Sequence, residues 1–270
     1  MKINKFIIAG TALALSVVTS QANNPALFNL PGGNAWSLIC IPWSAGQNTA
    51  LELESYFQGG ENLWIRHGSA YYEYTYQGYG AGTSMGYPSD FTDATGTASM
   101  PGDVWDPVDG VYWTVNPVFS PGQSFFIQNP NSTYNVALYG SGPLTETVNI
   151  TGGGAYNFVG NATTVPNQNA EGGSLNLTAN FVGGENVCVW TGSRYYIYTF
   201  EGVGAGTSLG YQSDWIDASS TPPSLPVIPG DQTDTSNDVY WAPPLILQVG
   251  EGLIITNPNA NETWVQNIVW

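Results

Sequence analysis

Apolar and polar residues alternate with a period of two over short stretches along this chain, a pattern that predicts β-strands with side chains pointing to opposite faces. Trp36-Ser37-Leu38-Ile39-Cys40-Ile41 and Leu51-Glu52-Leu53 open it, and Asn62-Leu63-Trp64-Ile65-Arg66 and Tyr71-Tyr72-Glu73-Tyr74-Thr75-Tyr76 continue it. Gly68-Ser69 between the last two stretches is a hairpin connection. Val187 to Trp190 and Tyr195 to Phe200 repeat the arrangement around Gly192-Ser193. Tyr72, Tyr74 and Tyr76, and likewise Tyr196, Tyr198 and Phe200, fall on one strand face and predict a core stripe. Pro121-Gly122 leads into Ser124 to Gln128, and Val249-Gly250 into Gly252 to Thr256; Asn-Pro stops both strands. Helical periodicity is absent outside the first 22 residues.

The pattern occurs twice. Residues 29–36 line up with 149–156, and Gly59 to Ala94 matches Gly183 to Ala218 without a gap, with roughly three-fifths of positions identical. Pro101-Gly102-Asp103, Val111-Tyr112-Trp113 and Asn129-Pro130-Asn131 return in the same order as Pro229-Gly230-Asp231, Val239-Tyr240-Trp241 and Asn257-Pro258-Asn259. The chain therefore reads as all-β, with two tandem homologous domains, each a β-sandwich or small barrel, after a leader. Gly140-Ser141-Gly142-Pro143 reads as the join, so the expected divisions are a signal peptide over 1–22, a first module over 23–142 and a second over 143–270.

The Gly-rich entry before an aromatic strand, the Gly-Ser-x-Tyr-Tyr hairpin and the Pro-Gly-x-x-Phe-Phe-Ile-x-Asn-Pro strand resemble tandem β-modules of exported bacterial proteins of unassigned role. The second copy departs from this pattern with Val249 in place of the proline. The resemblance covers most of each copy and implies fold and location only.

The first residues agree with export. Lys2 and Lys5 form a basic start, Phe6 to Val18 an apolar stretch, and Ser20-Gln21-Ala22 a cleavage site. No later stretch has the ~20 apolar residues of a spanning helix. Removing the leader leaves Arg66 and Arg194 against 20 carboxylates, a net charge near −18. That field repels phosphate, so nucleic acid and anionic lipid are not expected partners. A neutral glycan, a neighbouring surface protein or self-association fits the charge. Cys40 and Cys188 occupy different places in the repeat, which favours buried free thiols over a bridge.

Positions kept alike in both copies mark the candidate site. The longest such block is Gly80 to Ala94 with its match Gly204 to Ala218, whose glycines suggest a loop. Its candidate ligand-binding residues are Asp90, Asp93, Tyr87 and Phe91, with Asp214, Asp217, Tyr211 and Trp215 in the second copy. Closely spaced oxygen donors on an irregular backbone suit Ca²⁺, which makes Asp90, Asp93, Asp214 and Asp217 the metal candidates. The spacing is not that of an EF-hand, and the alternative is that these aspartates bond their own turns and no cofactor is held. Rings flanked by polar groups suit sugar faces, with Trp64, Trp105, Trp113, Trp215, Trp241 and Trp264 as available platforms.

Catalysis has less support. His67 is the only histidine and its counterpart is Thr191; no Gly-x-Ser-x-Gly elbow, Walker loop or Cys-x-x-Cys pair occurs. Glu61 with Glu185, and Asp103 with Asp231, sit at matching positions and keep a glycoside-active carboxylate pair as an alternative. The alternating C-terminus Thr263 to Trp270 reads as the last strand of the second module rather than the end of a membrane barrel. The expectation is a non-catalytic structural or adhesive protein, secreted or on a bacterial cell surface or in its matrix. A pair of carbohydrate-binding modules, Ca²⁺-assisted, is the second reading.

Overall fold

The computed structural model describes residues 26–40, 57–67, 70–97, 99–119, 122–138, 145–162, 168–172, 175–219 and 228–267. The expected signal peptide, Leu51 to Leu53, the expected Gly68-Ser69 hairpin connection and the expected join at Gly140 to Pro143 lie outside them. The first copy forms β1 (Ala26–Leu30), β2 (Ala35–Cys40), β3 (Asn62–His67), β4 (Ala70–Tyr76), β5 (Phe91–Asp93), β6 (Val104–Asp106), β7 (Val111–Trp113), β8 (Ser124–Asn129) and β9 (Tyr134–Leu138). The second forms β10 (Thr145–Ile150), β11 (Ala155–Gly160), β12 (Gln168–Asn169), β13 (Asn186–Trp190), β14 (Tyr195–Phe200), β15 (Trp215–Asp217), β16 (Gln232–Asp234), β17 (Val239–Trp241), β18 (Ile246–Leu247), β19 (Gly252–Asn257) and β20 (Glu262–Asn267).

Each lobe is built on a seven-stranded antiparallel sheet, in the order β2-β8-β3-β4-β5-β7-β6 and, with the same topology, β11-β19-β13-β14-β15-β17-β16. A two-stranded ribbon covers one face of each sheet: β1 with β9, and β10 with β20. Neither sheet closes into a barrel, so of the two expected architectures the sandwich is the one formed. The only described helical segments are short 3-10 turns at Thr83–Met85, Leu177–Ala179 and Thr207–Leu209.

Alternation decides which side chains fill the sandwich. Leu63 and Ile65, Tyr74 and Tyr76, and Phe125 and Ile127 point under the first ribbon, where they meet Leu30 and Val136. Val187 and Val189, Tyr198 and Phe200, and Leu253 and Ile255 do the same in the second lobe beneath Val148, Ile150 and Trp264. The tyrosine stripe is core, as its spacing indicated. Because the side-chain period is two, a one-residue slip in any of these strands would turn its apolar set outward.

The opposite sheet faces meet each other. Antiparallel bridges join Ile39 to Glu251 and Gln123 to Val159; in the repeat Ile39 corresponds to Val159 and Gln123 to Glu251, so the bridges are related by a pseudo-twofold. The Trp190 Nε1–H donates to the Trp36 carbonyl at 2.8 Å, and in the corresponding place the Arg66 guanidinium donates to the Tyr156 carbonyl. A Cβ on Gly160 would lie 2.5 Å from Cys40 Cβ, and one on Gly252 would lie 2.7 Å from Leu38 Cγ. Residues of minimal size let the backbones approach here, and Ser124, at the same point, donates from its hydroxyl to the Val159 carbonyl. Cys40 is buried at this crossing and Cys188 half-buried on β13; neither forms a disulfide. Burial pushes both above the ordinary thiol range.

Candidate functional site

The block retained in both copies is part loop and part strand. After the Gly80 to Pro88 turn the chain enters β5, so Phe91 lies at 0% exposure in the first core, packed against Tyr74 and Tyr76. Trp215 takes its place in the second, against Phe181, Tyr198 and Phe200. Both were candidate ligand-stacking rings on a loop. A three-residue strand is too short to display alternation, and the structure corrects that reading to core packing.

Asp90 closes the loop. Its Oδ1 accepts from the Gly82 N–H at 2.9 Å, the Thr83 N–H at 2.8 Å and the Thr83 hydroxyl at 2.9 Å, while Oδ2 accepts from the Gly80 N–H at 2.6 Å. Asp214 holds Gly204, Gly206 and Thr207 by the same four bonds. Burial works to raise both carboxyls, but the loop donors together outweigh it and hold them below the ordinary range. Asp93 accepts from the N–H and hydroxyl groups of Thr95 and Ser99. Asp217 accepts from the Ser219 and Ile228 N–H groups. The four candidate metal ligands thus bond the turns that carry them. Among the described residues no three His, Cys, Asp or Glu side chains gather as a metal-holding group.

Tyr87 is half-buried and stacks on Trp113 with ring centroids 5.3 Å apart, and Tyr211 on Trp241 at 5.2 Å. The Trp113 Nε1–H donates to Asp106 Oδ2, which the Tyr87 hydroxyl also reaches; Asp234 serves Trp241 and Tyr211 in the same way. Gly82 lies beneath the stack. A Cβ there would be 2.1 Å from the Ser89 carbonyl oxygen and 2.6 Å from the Trp113 ring. Residue retention in this block is thereby explained by shape and hydrogen bonding inside the lobe.

The remaining candidates divide by burial. Trp113, Trp215, Trp241 and Trp264 are in the interior; Trp64 at 38% and Trp105 at 48% stay accessible. His67 stacks on Tyr72, and burial lowers its pKa. Glu61 is fully buried and accepts from the Gln58 and Gly59 N–H groups, Asn131 and the Tyr134 hydroxyl. In the second lobe Glu262 replaces Tyr134 and bonds Glu185, and burial followed by that neighbouring carboxylate pushes Glu262 up to about 7. Asp231 is likewise raised to about 7, first by burial and then by its bond to Asp217. Glu185 and Asp231 thus each face a second carboxyl of their own lobe, Glu262 and Asp217, while Glu61 faces the Tyr134 hydroxyl.

Sequence reasoning passed over Trp36 and Trp190. Both are half-buried and line a cleft of about 450 Å³ between the lobes, with Asn29, Pro31, Gln248 and Glu251. Its pseudo-symmetric counterpart, of about 420 Å³, is lined by Tyr156, Arg66, Asn149 and Gln123. A signal was present: β2 carries large apolar residues on both of its faces, the mark of a strand covered on both sides.

Comparison with known protein families, characterised proteins and solved structures finds no match for this chain.

Proposed function

We propose that this is an exported, non-catalytic protein with a structural or adhesive role at a bacterial cell surface or in its extracellular matrix. One observation carries the reading: the aspartates kept in both lobes are bonded within their own loops, and the same loops hold apolar side chains outward beside the exposed Thr83, Ser84, Thr207 and Ser208. Tyr79 is 90% exposed and Val203, its counterpart, 85%; Met85 and Leu209 form a second exposed pair. Apolar tips repeated on two lobes offer two-point contact with a neighbour, and linked contacts gain strength from their effective concentration. The charge of the chain favours a neutral or basic neighbouring surface. The apolar h-region and cleavage pattern at the N-terminus support export.

Sedimentation velocity over a concentration series, with retention of the purified mature chain on intact cells of the producing organism, tests this reading. The comparison is a folded variant carrying Tyr79→Ser, Met85→Ser, Val203→Ser and Leu209→Ser. The parent should associate or be retained, and the variant should do neither. A parent that stays monomeric and unbound, or a variant that behaves like it, would remove the proposal.

A further inference from the structure

We propose that the first of the two clefts at the lobe seam, between β2 and the β13–β19 side of the second lobe, is a binding site for a neutral saccharide chain. Its volume of about 450 Å³ falls in the range of small-ligand sites, which favour the junctions between domains. Its aromatic walls are fixed in place. Trp36 packs edge-on against Trp64 at 4.9 Å and against Phe126 at 6.3 Å. Trp190 is tied by its Nε1–H to the Trp36 carbonyl and packs on Tyr195 at 4.8 Å. Rings held in this way offer flat apolar area without an ordering cost on binding.

The polar side of the cleft suits hydroxyl groups. Gln248 and Glu251 belong to one tight turn, closed by the Gln248 N–H donating to Glu251 Oε2 at 2.8 Å, and Gln248 is exposed. Asn29 is exposed on the opposite side. Amide and carboxyl oxygens accept from sugar hydroxyls and amide N–H groups donate to them. Among the described residues no Lys, Arg or His lines the cleft and Glu251 does, so an anionic sugar would meet a carboxyl with no cation beside it.

The counterpart cleft has diverged at the matching points. Arg66 stands where Trp190 does, with its guanidinium 5.6 Å from the Phe158 ring centre, and Tyr156 stands where Trp36 does. One cleft thus keeps a two-tryptophan wall, and the other fills that place with its own cation. Trp64, accessible beside Trp36, continues the aromatic strip out of the first cleft and suits a chain of sugars rather than a single one.

Tryptophan fluorescence and calorimetric titration of the full mature chain with cellohexaose, maltohexaose, chitohexaose and mannohexaose test the site, with hexagalacturonate as the anionic comparison. At least one neutral probe should bind with Kd below about 1 mM and perturb the fluorescence, and hexagalacturonate should not. Trp190→Ala should weaken that binding by about tenfold or more, and Tyr156→Ala in the counterpart cleft should leave it unchanged. If Trp190→Ala loses its unfolding transition, Gln248→Ala replaces it and should weaken binding several-fold. Binding of no neutral probe, preference for the anionic one, or unchanged affinity in the folded cleft variant would overturn the proposal. The cleft shares no residue with the apolar loop tips, so the four-serine variant should keep the binding.

Discussion

Replacing Asp90 by alanine separates a fold role from a ligand role for the most strongly retained block. The change strips the acceptor from four donors at once. The Gly82 N–H, in a buried bond, loses a partner with no water to replace it, at a cost of about 1–3 kcal/mol. The other three bonds are part-buried, and each contributes roughly 0.5–1.5 kcal/mol beyond what water restores. Their sum, about 2.5–7.5 kcal/mol, is a large fraction of the stability of a typical domain. For a lobe of this size it corresponds to a fall in Tm of roughly 10–30 °C. Differential scanning calorimetry of the mature chain reads it directly, with Asp214→Ala expected to do the same through the second lobe. Asp109→Ala, at an exposed turn position, should stay within about 0.5 kcal/mol of the parent. An Asp90→Ala protein that melts with the parent while losing adhesion would refute the reasoning and return this residue to a ligand site.

Gly82→Ala drives a methyl group into the Ser89 carbonyl and the Trp113 ring and should prevent stable folding of the first lobe, as judged by loss of near-UV circular dichroism. Gly86→Ala, with open space around it but a φ of +92°, should cost only about 1–2 kcal/mol. The Glu262 and Asp231 carboxyls, raised to about 7 in the fold, make the second lobe depend on pH. Their protonated forms are favoured by folding, so their contribution is complete below the ordinary carboxylate range and is lost as pH rises through about 7. Glu262→Gln should therefore flatten the decline in Tm between pH 5 and pH 8, and an unaltered slope would contradict the carboxyl–carboxylate bond with Glu185. Because Asp90, Asp93, Asp214 and Asp217 bond their own turns, Tm in EDTA and in millimolar Ca²⁺ should coincide; a rise with Ca²⁺ would show a site that binds the native state.

The duplication, the strands and the inward stripe were legible because each rests on a period that survives drift: Tyr74, Tyr76, Leu63 and Ile65 hold their places by core packing. Asp90 was legible as retained, with a turn-bonding and a metal-binding reading both open, since the Asp, Gly and Thr that build a closed loop are the same types that build an open oxygen-lined site. Phe91 and Trp215 were misplaced because β5 and β15 are three residues long and follow a Gly-rich run. The seam escaped notice for a different reason. At the crossing Gly160 faces Cys40, and Gly252 faces Leu38 and Ser124; the repeat partners Cys40 and Gly160, like Ser124 and Gly252, share small volume rather than identity, and the bonds Trp190 to Trp36 and Arg66 to Tyr156 end on backbone carbonyls that a sequence does not display. Trp36 and Trp190 gain a role only from a seam that joins residues more than 150 positions apart.

The most direct test of the inward loop is amide hydrogen exchange in the mature chain, resolved by NMR. The N–H groups of Gly82, Thr83, Gly206 and Thr207 should exchange as slowly as those of the neighbouring strands β4 and β14, since opening them requires release of a buried carboxylate. Exchange of these four at the rate of open, water-bonded turns would mean that Asp90 and Asp214 face outward, and the structural reading of the retained block would fall.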